Sequence, residues 1–238
     1  MTSLQARAVA LAGRLEPTEL DAAPGQLIAL IGPNGSGKTS LLRALARVED
    51  ATGAVTLGDE DLDLMAVNRR WHMLAFLPAS HDIAWPVPVR DYAALSGADE
   101  RAVTDWLDRF ELANLSTRPI DRLSTGERSR AMLARTLAPA PRLLLLDEPL
   151  SNLEPYWALR TLGILREQSD RGAIVMVSLH DLGQLAAFDR VLLVDGGSVV
   201  ADTHPTAILA DPRFERIFRV APTAGGQFRL REDPRSSR

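Results

Sequence analysis

The chain has 238 residues, a formal net charge of −4 and no cysteine, and 46% of its residues are hydrophobic. This composition is ordinary for a globular protein and allows one large domain or two small ones. The missing cysteine excludes disulfides and cysteine-ligated metal, and the acidic balance argues against a surface that binds nucleic acid. No run reaches the roughly 18 apolar residues of a membrane-spanning helix, and the start lacks a signal-peptide pattern. We therefore expect a soluble protein that binds no nucleic acid.

Short apolar runs predict the strands of a buried sheet. Several of them are apolar at every position, as expected for parallel strands that are covered on both faces. The runs occupy residues 27–31, 55–57, 74–77, 143–146, 174–177 and 191–194. Helical patterns over residues 38–48, 155–168 and 181–188 lie between some of these strands. The alternation predicts an α/β core.

Residues 84–138 lack strand signals and show helical spacing instead. One predicted helical face carries Ala102, Val103, Trp106, Leu107 and Phe110. We predict a small helical subdomain at residues 84–138, inserted into a core formed by residues 1–83 and 139–220. A long crossover connection is the alternative, and it would change only the boundaries. Residues 221–238 are predicted to form a disordered tail.

The only lysine of the chain, Lys38, lies in a segment that has the form G-x-x-x-x-G-K-[ST]. In such a P-loop, backbone N–H groups hold phosphates, the lysine contacts the β and γ oxygens, and the hydroxyl residue binds Mg²⁺. A predicted strand precedes the segment and a predicted helix follows it, so the phosphates would meet a helix N-terminus. A chance glycine turn is the alternative. The predicted phosphate-binding residues are Gly32, Pro33, Asn34, Gly35, Ser36, Gly37, Lys38, Thr39 and Ser40, with Thr39 also a metal ligand.

Two carboxylates, Asp147 and Glu148, end the buried run at residues 143–146. Ligands of open α/β sheets bind at this end of the strands. We expect Asp147 to hold Mg²⁺, and Glu148 to orient and deprotonate an attacking water, a role worth ~10²–10⁴ in rate. Two solvated acids at a strand end are the alternative, and the upstream P-loop disfavours it.

A second helix start occurs at Ser124, which is followed three residues later by Glu127. This spacing is a capping box, in which the serine hydroxyl and the glutamate satisfy backbone donors of the helix. A helix N-terminus also offers N–H groups and a dipole to an anion. Both interpretations can hold together.

Five motifs in this order resemble those of ABC transporter nucleotide-binding subunits, and the resemblance covers nearly the whole chain. They are GPNGSGKT at 32–39, LSTGE at 123–127, LLLLDEP at 143–149, SNLE at 151–154 and SLHD at 178–181. The resemblance implies a RecA-like P-loop core with a helical subdomain, ATP and Mg²⁺ as ligands, and a head-to-tail homodimer. In such a dimer the P-loop of one subunit and the signature motif of the other enclose ATP. By position, Ser124 and Gly126 would face the γ-phosphate across the interface, and His180 would contact it in cis.

Within the family, the chain most resembles ATPases of type II importers for cobalamin, heme and ferric siderophores. The similar segments are a compact start at residues 13–15, GRL, which leads to Pro24 and Gly25, then residues 85–90, WPVPVR, and residues 154–156, EPY. Zinc and manganese importer ATPases resemble the first segment as well. The resemblance implies permease partners in the membrane, indirect action with a periplasmic or lipoprotein binding protein, and a place on the cytoplasmic face of the inner membrane. Trp71 and Trp85 would then line a groove for the permease, although paired tryptophans are more often core residues.

The chain departs from the family pattern at several positions. Ala79 stands where the Q-loop glutamine is usual, Thr125 replaces a signature glycine, and Glu154 replaces an aspartate. No aromatic residue occurs at residues 9–13, where one usually stacks on adenine. These changes keep open a second hypothesis, a slow or non-hydrolysing nucleotide-dependent clamp. A nucleic-acid-associated ABC ATPase is disfavoured because the chain has no long coiled-coil insertion and no tandem ATPase halves.

Overall fold

The structure, a computed structural model, describes residues 2–80, 85–223 and 228–230, and all elements named here lie within them. The strands are β1 (Leu4–Leu11), β2 (Leu15–Ala22), β3 (Leu27–Ile31), β4 (Thr52–Leu57), β5 (Glu60–Asp61), β6 (Leu74–Leu77), β7 (Leu143–Leu146), β8 (Ile174–Ser178), β9 (Arg190–Asp195), β10 (Ser198–Thr203), β11 (Val220–Pro222) and β12 (Phe228–Leu230). The α-helices are α1 (Lys38–Ala46), α2 (Val67–Met73), α3 (Val89–Ala94), α4 (Glu100–Arg109), α5 (Thr125–Leu137), α6 (Pro155–Asp170), α7 (Pro205–Leu209) and α8 (Pro212–Phe218). Short 3₁₀ helices occupy Ala113–Leu115, Ile120–Arg122 and Leu182–Ala187.

A six-stranded sheet forms the centre of the fold. Its strand order is β10-β9-β3-β8-β7-β6, in which β10 is antiparallel to β9 and the other neighbours are parallel. The strands β3, β7 and β8 are buried at every position. This burial confirms the α/β prediction, because unbroken apolar runs fit a sheet that is covered on both faces.

The two faces of the central sheet belong to different cores. One face, which includes Leu27, Ala29 and Ile31, packs with residues of α3, α4, α5 and α6. The opposite face, which includes Ile28 and Leu30, packs with α1 and with the antiparallel sheet. Helix α1 therefore lies between the two sheets, and its N-terminus is fixed by packing on both sides.

A four-stranded antiparallel sheet with the order β2-β1-β4-β5 was not predicted from the sequence. Strand β1 does alternate, since Leu4, Ala6, Val9 and Leu11 are buried, but register shifts near Ala8 interrupt the period of two. Strand β2 includes a proline and three acidic residues, which are uncommon in strands. Its buried residues are nevertheless spaced to face one side of the sheet.

The region between β6 and β7 contains three α-helices and two short 3₁₀ helices, as its helical spacing predicts. Residues 81–84 fall outside the described part of the chain, so the proposed boundary at residues 83 and 84 stays a prediction. None of the helices that the structure describes is both long and apolar enough to cross a lipid bilayer.

Two local predictions are wrong, and a third is refined. Residues 220–222 and 228–230 pair as antiparallel strands where a disordered tail was predicted, and the Phe228 ring lies 5.9 Å from the Phe214 ring, while residues 224–227 and 231–238 of that tail lie outside the described part of the chain. Helix α1 ends at Ala46 rather than at residue 48, because Arg47 adopts a left-handed conformation and Val48 is exposed. Residues 182–187 form a 3₁₀ helix, begun by the Asp181 carboxylate, which accepts a hydrogen bond from Gly183 N–H.

Candidate functional site

The loop between β3 and α1 encloses a phosphate-sized cradle, because two of its glycines lie against neighbouring backbone. Gly32 has φ +154°, and a Cβ atom there would lie 2.1 Å from the carbonyl oxygen of Val194. Gly37 has φ +110°, and its Cβ would lie 3.1 Å from Gly197 Cα. Only glycine fits such positions, so the loop can turn tightly and direct the N-terminus of α1 inward.

A cleft of about 790 Å³ opens around this loop. Nine of the predicted residues line it together with residues from two other segments of the chain. They are Asn34, Gly35, Ser36, Gly37, Lys38, Thr39, Ser40, Glu148 and His180, joined by Gly13, Arg14, Glu16, Gly196 and Gly197. The predicted P-loop, the second carboxylate and the histidine thus share one cleft.

Lys38 is buried at the start of α1 and folds back over the loop. Its ammonium donates hydrogen bonds to the carbonyl oxygens of Gly32, at 2.7 Å, and Pro33, at 3.1 Å. Burial lowers the pKa of Lys38, and the carboxylates of Glu148 and Asp147 offset this only in part. A bound polyanion would favour the charged ammonium and remove this disadvantage.

The cradle meets a direct test of fit for phosphate. Among the residues that the structure describes, none offers a hydrogen-bond partner to the buried hydroxyl of Ser36. Buried polar atoms are normally paired, so an orphan inside a glycine-rich cradle fits an acceptor supplied by a ligand. The first N–H groups of α1 have no partner within the helix and can donate to the same ligand.

Thr39, which lines the cleft, contacts Asp147, although 108 positions separate them in the chain. The Thr39 hydroxyl donates to Asp147 Oδ2 at 2.8 Å, and the Ser178 hydroxyl donates to Asp147 Oδ1 at 2.7 Å. Asp147 is almost completely buried, with an exposed fraction of 1%. Hydroxyl and carboxylate oxygens are the ligand atoms that Mg²⁺ prefers, so this pair is suited to share a metal ion with phosphates.

Glu148 follows Asp147 and points to the same cleft as His180. Oε1 of Glu148 lies 2.5 Å from Nε2 of His180. The backbone of Glu148 is in the left-handed region, at φ +52°, and its N–H donates to Ser178 Oγ at 2.8 Å. A non-glycine residue rarely adopts this conformation. Here the conformation directs the Glu148 carboxylate away from β7 and toward the cleft.

Ser124 and Gly126 lie elsewhere, at the N-terminus of α5, and do not line the P-loop cleft in the described chain. The capping box is formed: Glu127 N–H donates to Ser124 Oγ at 3.3 Å, and Ser124 N–H donates to Glu127 Oε2 at 2.8 Å. The hydrogen bond from Ser124 N–H lowers the pKa of Glu127. Ser124 is exposed, and its role toward a phosphate stays a prediction.

Ala79 lies just beyond β6, half-buried, and the described cleft lining does not include it. The methyl group has neither a donor nor an acceptor for water or metal. The neighbouring Ser80 lines a different groove, described below, and His81 is outside the described residues. The expectation that Ala79 slows ATP hydrolysis therefore stays a prediction.

The sequence analysis missed three contributors to the site. Ser178 links Asp147 to the backbone of Glu148, and its signal was a small hydroxyl residue at the end of an apolar strand. Arg14 and Gly197 also border the cleft; Arg14 lies in the segment 13–15, for which no site role was predicted, and Gly197 lies outside the recognised motifs. Gly197 N–H donates to Ser36 O at 2.8 Å, a long-range contact that no local pattern indicates.

Comparison with known proteins gives consistent results. Residues 15–151 match the family model described as ABC transporter. The hemin import ATP-binding protein HmuV of Pseudomonas fluorescens is 38% identical over 216 residues, which cover 84% of this chain and 84% of the relative. The Fe(3+) ions import ATP-binding protein FbpC of Streptomyces avermitilis is 34% identical over 230 residues, which cover 92% of this chain and 67% of the relative. A solved structure of the ATP binding subunit of an ABC transporter aligns with a TM-score of 0.78 at 21% identity, over 89% of this chain and 93% of that one.

Proposed function

Because this chain belongs to the ABC transporter family of ATPases, we propose that it is the ATP-hydrolysing subunit of an importer for an iron chelate, heme or cobalamin. Its fold is the ABC ATPase fold. The observation that carries the proposal is one cleft that the P-loop, Glu148 and His180 line together, and in which Thr39 is bonded to the buried Asp147.

The residues present fit ATP and Mg²⁺. Lys38, the N-terminus of α1 and the unpaired Ser36 hydroxyl are placed for the phosphates, and Thr39 and Asp147 for the metal. When bound, Mg²⁺ would neutralise charge that develops on the phosphates. Positioning and electrostatic stabilisation supply most of the catalysis in phosphoryl transfer.

Glu148 is the group suited to act on the attacking water. Its carboxylate is half-buried at the cleft wall, and a general base of this kind contributes ~10²–10⁴ in rate. His180 contacts that carboxylate and lies at the same end of the cleft. In our proposal the imidazole turns from Glu148 to the γ-phosphate when ATP binds, which frees the carboxylate to accept the proton of water.

A head-to-tail homodimer would complete the site. Ser124 is exposed at the N-terminus of α5, so the helix dipole and the N–H groups that the capping box leaves unpaired would face a ligand held by another subunit. A second groove, of about 710 Å³, runs beside Glu148 and His180 and is lined by Leu153 and Leu159. Leu159 is 69% exposed, and its burial would favour association of two copies.

A third groove is proposed as the contact for a membrane permease. It measures about 820 Å³ and lies between β6 and the helices α3 and α5. Trp71 and Trp85 line it and are 61% and 72% exposed. This exposure excludes the alternative that the two tryptophans are core residues. Exposed aromatic side chains in a groove are typical of interaction sites. Ser80, beside Ala79, lines this groove and connects it to the end of β6.

The two relatives are named for import of hemin and of Fe(3+) ions, and this supports iron or heme as the cargo class. An importer ATPase acts on the cytoplasmic face of the inner membrane, and a separate binding protein would deliver the cargo to the permease. We extend both expectations to this chain as part of the proposal.

Ala79 favours a second candidate function, a slow or non-hydrolysing nucleotide-dependent clamp. The residue has no polar group to order water or metal. Tight ATP binding without measurable phosphate release, with or without the permease, would support the clamp over the transport ATPase.

The test is steady-state phosphate release by the full chain with ATP and Mg²⁺. We expect turnover in the parent and its loss in Lys38→Ala, because the sole lysine supplies the charge on the β and γ phosphates. Arg101→Ala is the matched control, since Arg101 is an exposed cation on α4. Parental turnover in Lys38→Ala would contradict the proposal.

The permease groove has a separate test. Trp85→Ala should weaken co-purification with a permease encoded beside this chain and leave ATP binding unchanged. Leu230→Ala is a control, because Leu230 is an exposed apolar residue on β12, outside the groove. Equal recovery of the permease by both variants would contradict this part of the proposal.

A further inference from the structure

The P-loop cleft has two chemically different ends. Glu148 and His180 form one end, where the terminal phosphate would meet water. Gly13, Arg14, Glu16 and Gly197 line the other end: Gly197 follows β9 on one side of β3, whereas β7 and β8, which precede Glu148 and His180, lie on its other side. Since the P-loop lies between these ends and holds phosphates, the nucleoside must extend toward the end that contains Arg14.

The turn that carries Arg14 is held against the P-loop by backbone contacts. Gly197 N–H donates to Ser36 O at 2.8 Å, and Glu16 N–H donates to Gly197 O at 2.9 Å. A Cβ atom on Gly37 would lie 3.3 Å from Arg14 O. The Arg14 side chain therefore begins at a fixed place beside the phosphate cradle.

The guanidinium of Arg14 is oriented by a carboxylate. Arg14 pairs with Glu49, which also accepts a hydrogen bond from Arg43 at 2.7 Å. The hydrogen bonds from Arg14 and Arg43 lower the pKa of Glu49, so the carboxylate stays ionised at neutral pH. About half of the Arg14 side chain remains exposed, at 52%, so part of it is accessible to a ligand.

No Phe, Tyr or Trp lines the cleft in the part of the chain that the structure describes. A planar guanidinium stacks flat on aromatic rings and adds a cation–π attraction, whereas a lysine ammonium offers the cation–π attraction without the planar stacking. We propose that Arg14 is the residue on which the nucleotide base stacks, with Glu49 as the positioning residue that holds its guanidinium. This inference rests on the proposed function and assigns the base-binding end of the same cleft.

The test compares two ligands that share phosphates but differ in the base. The Kd of Mg-ATP and of inorganic triphosphate is measured by titration calorimetry for the parent and for Arg14→Ala, Arg14→Tyr and Arg14→Lys. Arg14→Ala should weaken ATP binding about tenfold, in the range of a cation–π contact, and change triphosphate binding less than about twofold. Arg14→Tyr should restore ATP binding because an aromatic ring also stacks, and Arg14→Lys should restore less of it because an ammonium has no planar face. Glu49→Gln should weaken ATP binding by a smaller factor with triphosphate unchanged.

Arg7→Ala is the matched control. Arg7 is an exposed arginine on β1 that pairs with Asp21 outside the cleft, so its loss should alter neither Kd.

An equal loss of affinity for ATP and for triphosphate in Arg14→Ala, restored in Arg14→Lys, would overturn the proposal in favour of a phosphate contact. Unchanged ATP binding in Arg14→Ala would also overturn it. If Arg14→Ala does not fold, the Kd values of Arg14→Tyr and Arg14→Lys for ATP and for triphosphate still test the proposal. A parent that binds neither ligand would instead contradict the proposed function.

Discussion

The imidazole Nε2 of His180 lies 2.5 Å from Oε1 of Glu148, so the two side chains contact each other at one end of the cleft. The residues come from the ends of two neighbouring parallel strands, β7 and β8. The contact occupies the carboxylate that the proposed reaction requires as a base. In the proposed reaction, a phosphate would therefore take the place of Glu148 as the partner of His180.

His180→Ala should lower phosphate release on the order of 10²-fold, because misplaced reacting groups cost about that much, and should leave the Kd of ATP nearly unchanged. Steady-state kinetics and calorimetry check the two effects. His204→Ala is the control, since His204 caps α7 outside the cleft. Parental turnover in His180→Ala would show that the contact has no part in the reaction.

Lys38→Arg should bind ATP at least about tenfold more weakly than the parent, although the charge is kept. The Lys38 ammonium fits between two carbonyl oxygens of the loop, and a planar guanidinium is too large for that place. Titration with Mg-ATP measures the loss. Binding as tight as in the parent would mean that the cradle does not select a point charge.

ATP affinity should fall as the pH rises into the alkaline range. Burial lowers the pKa of Lys38 in the free protein, and bound phosphates would raise it. The contribution of the ammonium is thus complete below the free-protein pKa and is lost as the pH rises through the pKa of the complex. Titrations in the Glu148→Gln variant, from about pH 8 upward, avoid hydrolysis. An affinity that rises with pH would contradict the assignment.

Ser178→Ala should destabilise the fold by about 1–3 kcal/mol, because it leaves a buried carboxylate oxygen and the Glu148 N–H without their shared partner. It should also raise the Mg²⁺ concentration needed for hydrolysis. Urea unfolding and a Mg²⁺ titration measure the two effects. Ser169→Ala is the control, since that buried hydroxyl donates to a carbonyl of its own helix. Equal behaviour of the two variants would contradict a role for Ser178 in placing Asp147.

Ala79→Gln should raise ATP turnover, most strongly with the permease bound, if this loop limits catalysis. A glutamine amide can order water and bind metal, and misplacement of either costs on the order of 10²-fold. Phosphate release is measured for Ala79→Gln and Ser80→Ala, each with and without permease. A loss in Ser80→Ala without a gain in Ala79→Gln would instead indicate a one-residue shift of the loop.

The sequence predicts which residues lie together at the P-loop, and their catalytic roles stay predictions. Lys38 and Thr39 belong to one contiguous motif, and Asp147 meets Thr39 because parallel strands end at the same edge of the sheet. The placement of Ser124 and Gly126 relative to a second subunit depends on an assembly, which one chain does not contain.

The base-binding end could not be predicted. Arg14 reaches the cleft only because β1 and β2 form a sheet that packs on α1, and a shift of register hides the period of two in β1. The C-terminal hairpin was missed for a related reason, since its order depends on the distant contact between Phe228 and Phe214. Both features arise from tertiary packing rather than from local propensity.

The most direct test of the account is the nucleotide that remains bound to Glu148→Gln after incubation with ATP and Mg²⁺. The amide keeps the shape of the carboxylate but cannot accept a proton from water. Size-exclusion chromatography followed by analysis of the bound nucleotide, with permease present, should recover a dimer that holds about two intact ATP molecules, and Lys38→Ala in the same background should hold none. Recovery of ADP, or of a monomer without nucleotide, would contradict the claim that two copies of this chain close on ATP and use Glu148 to hydrolyse it.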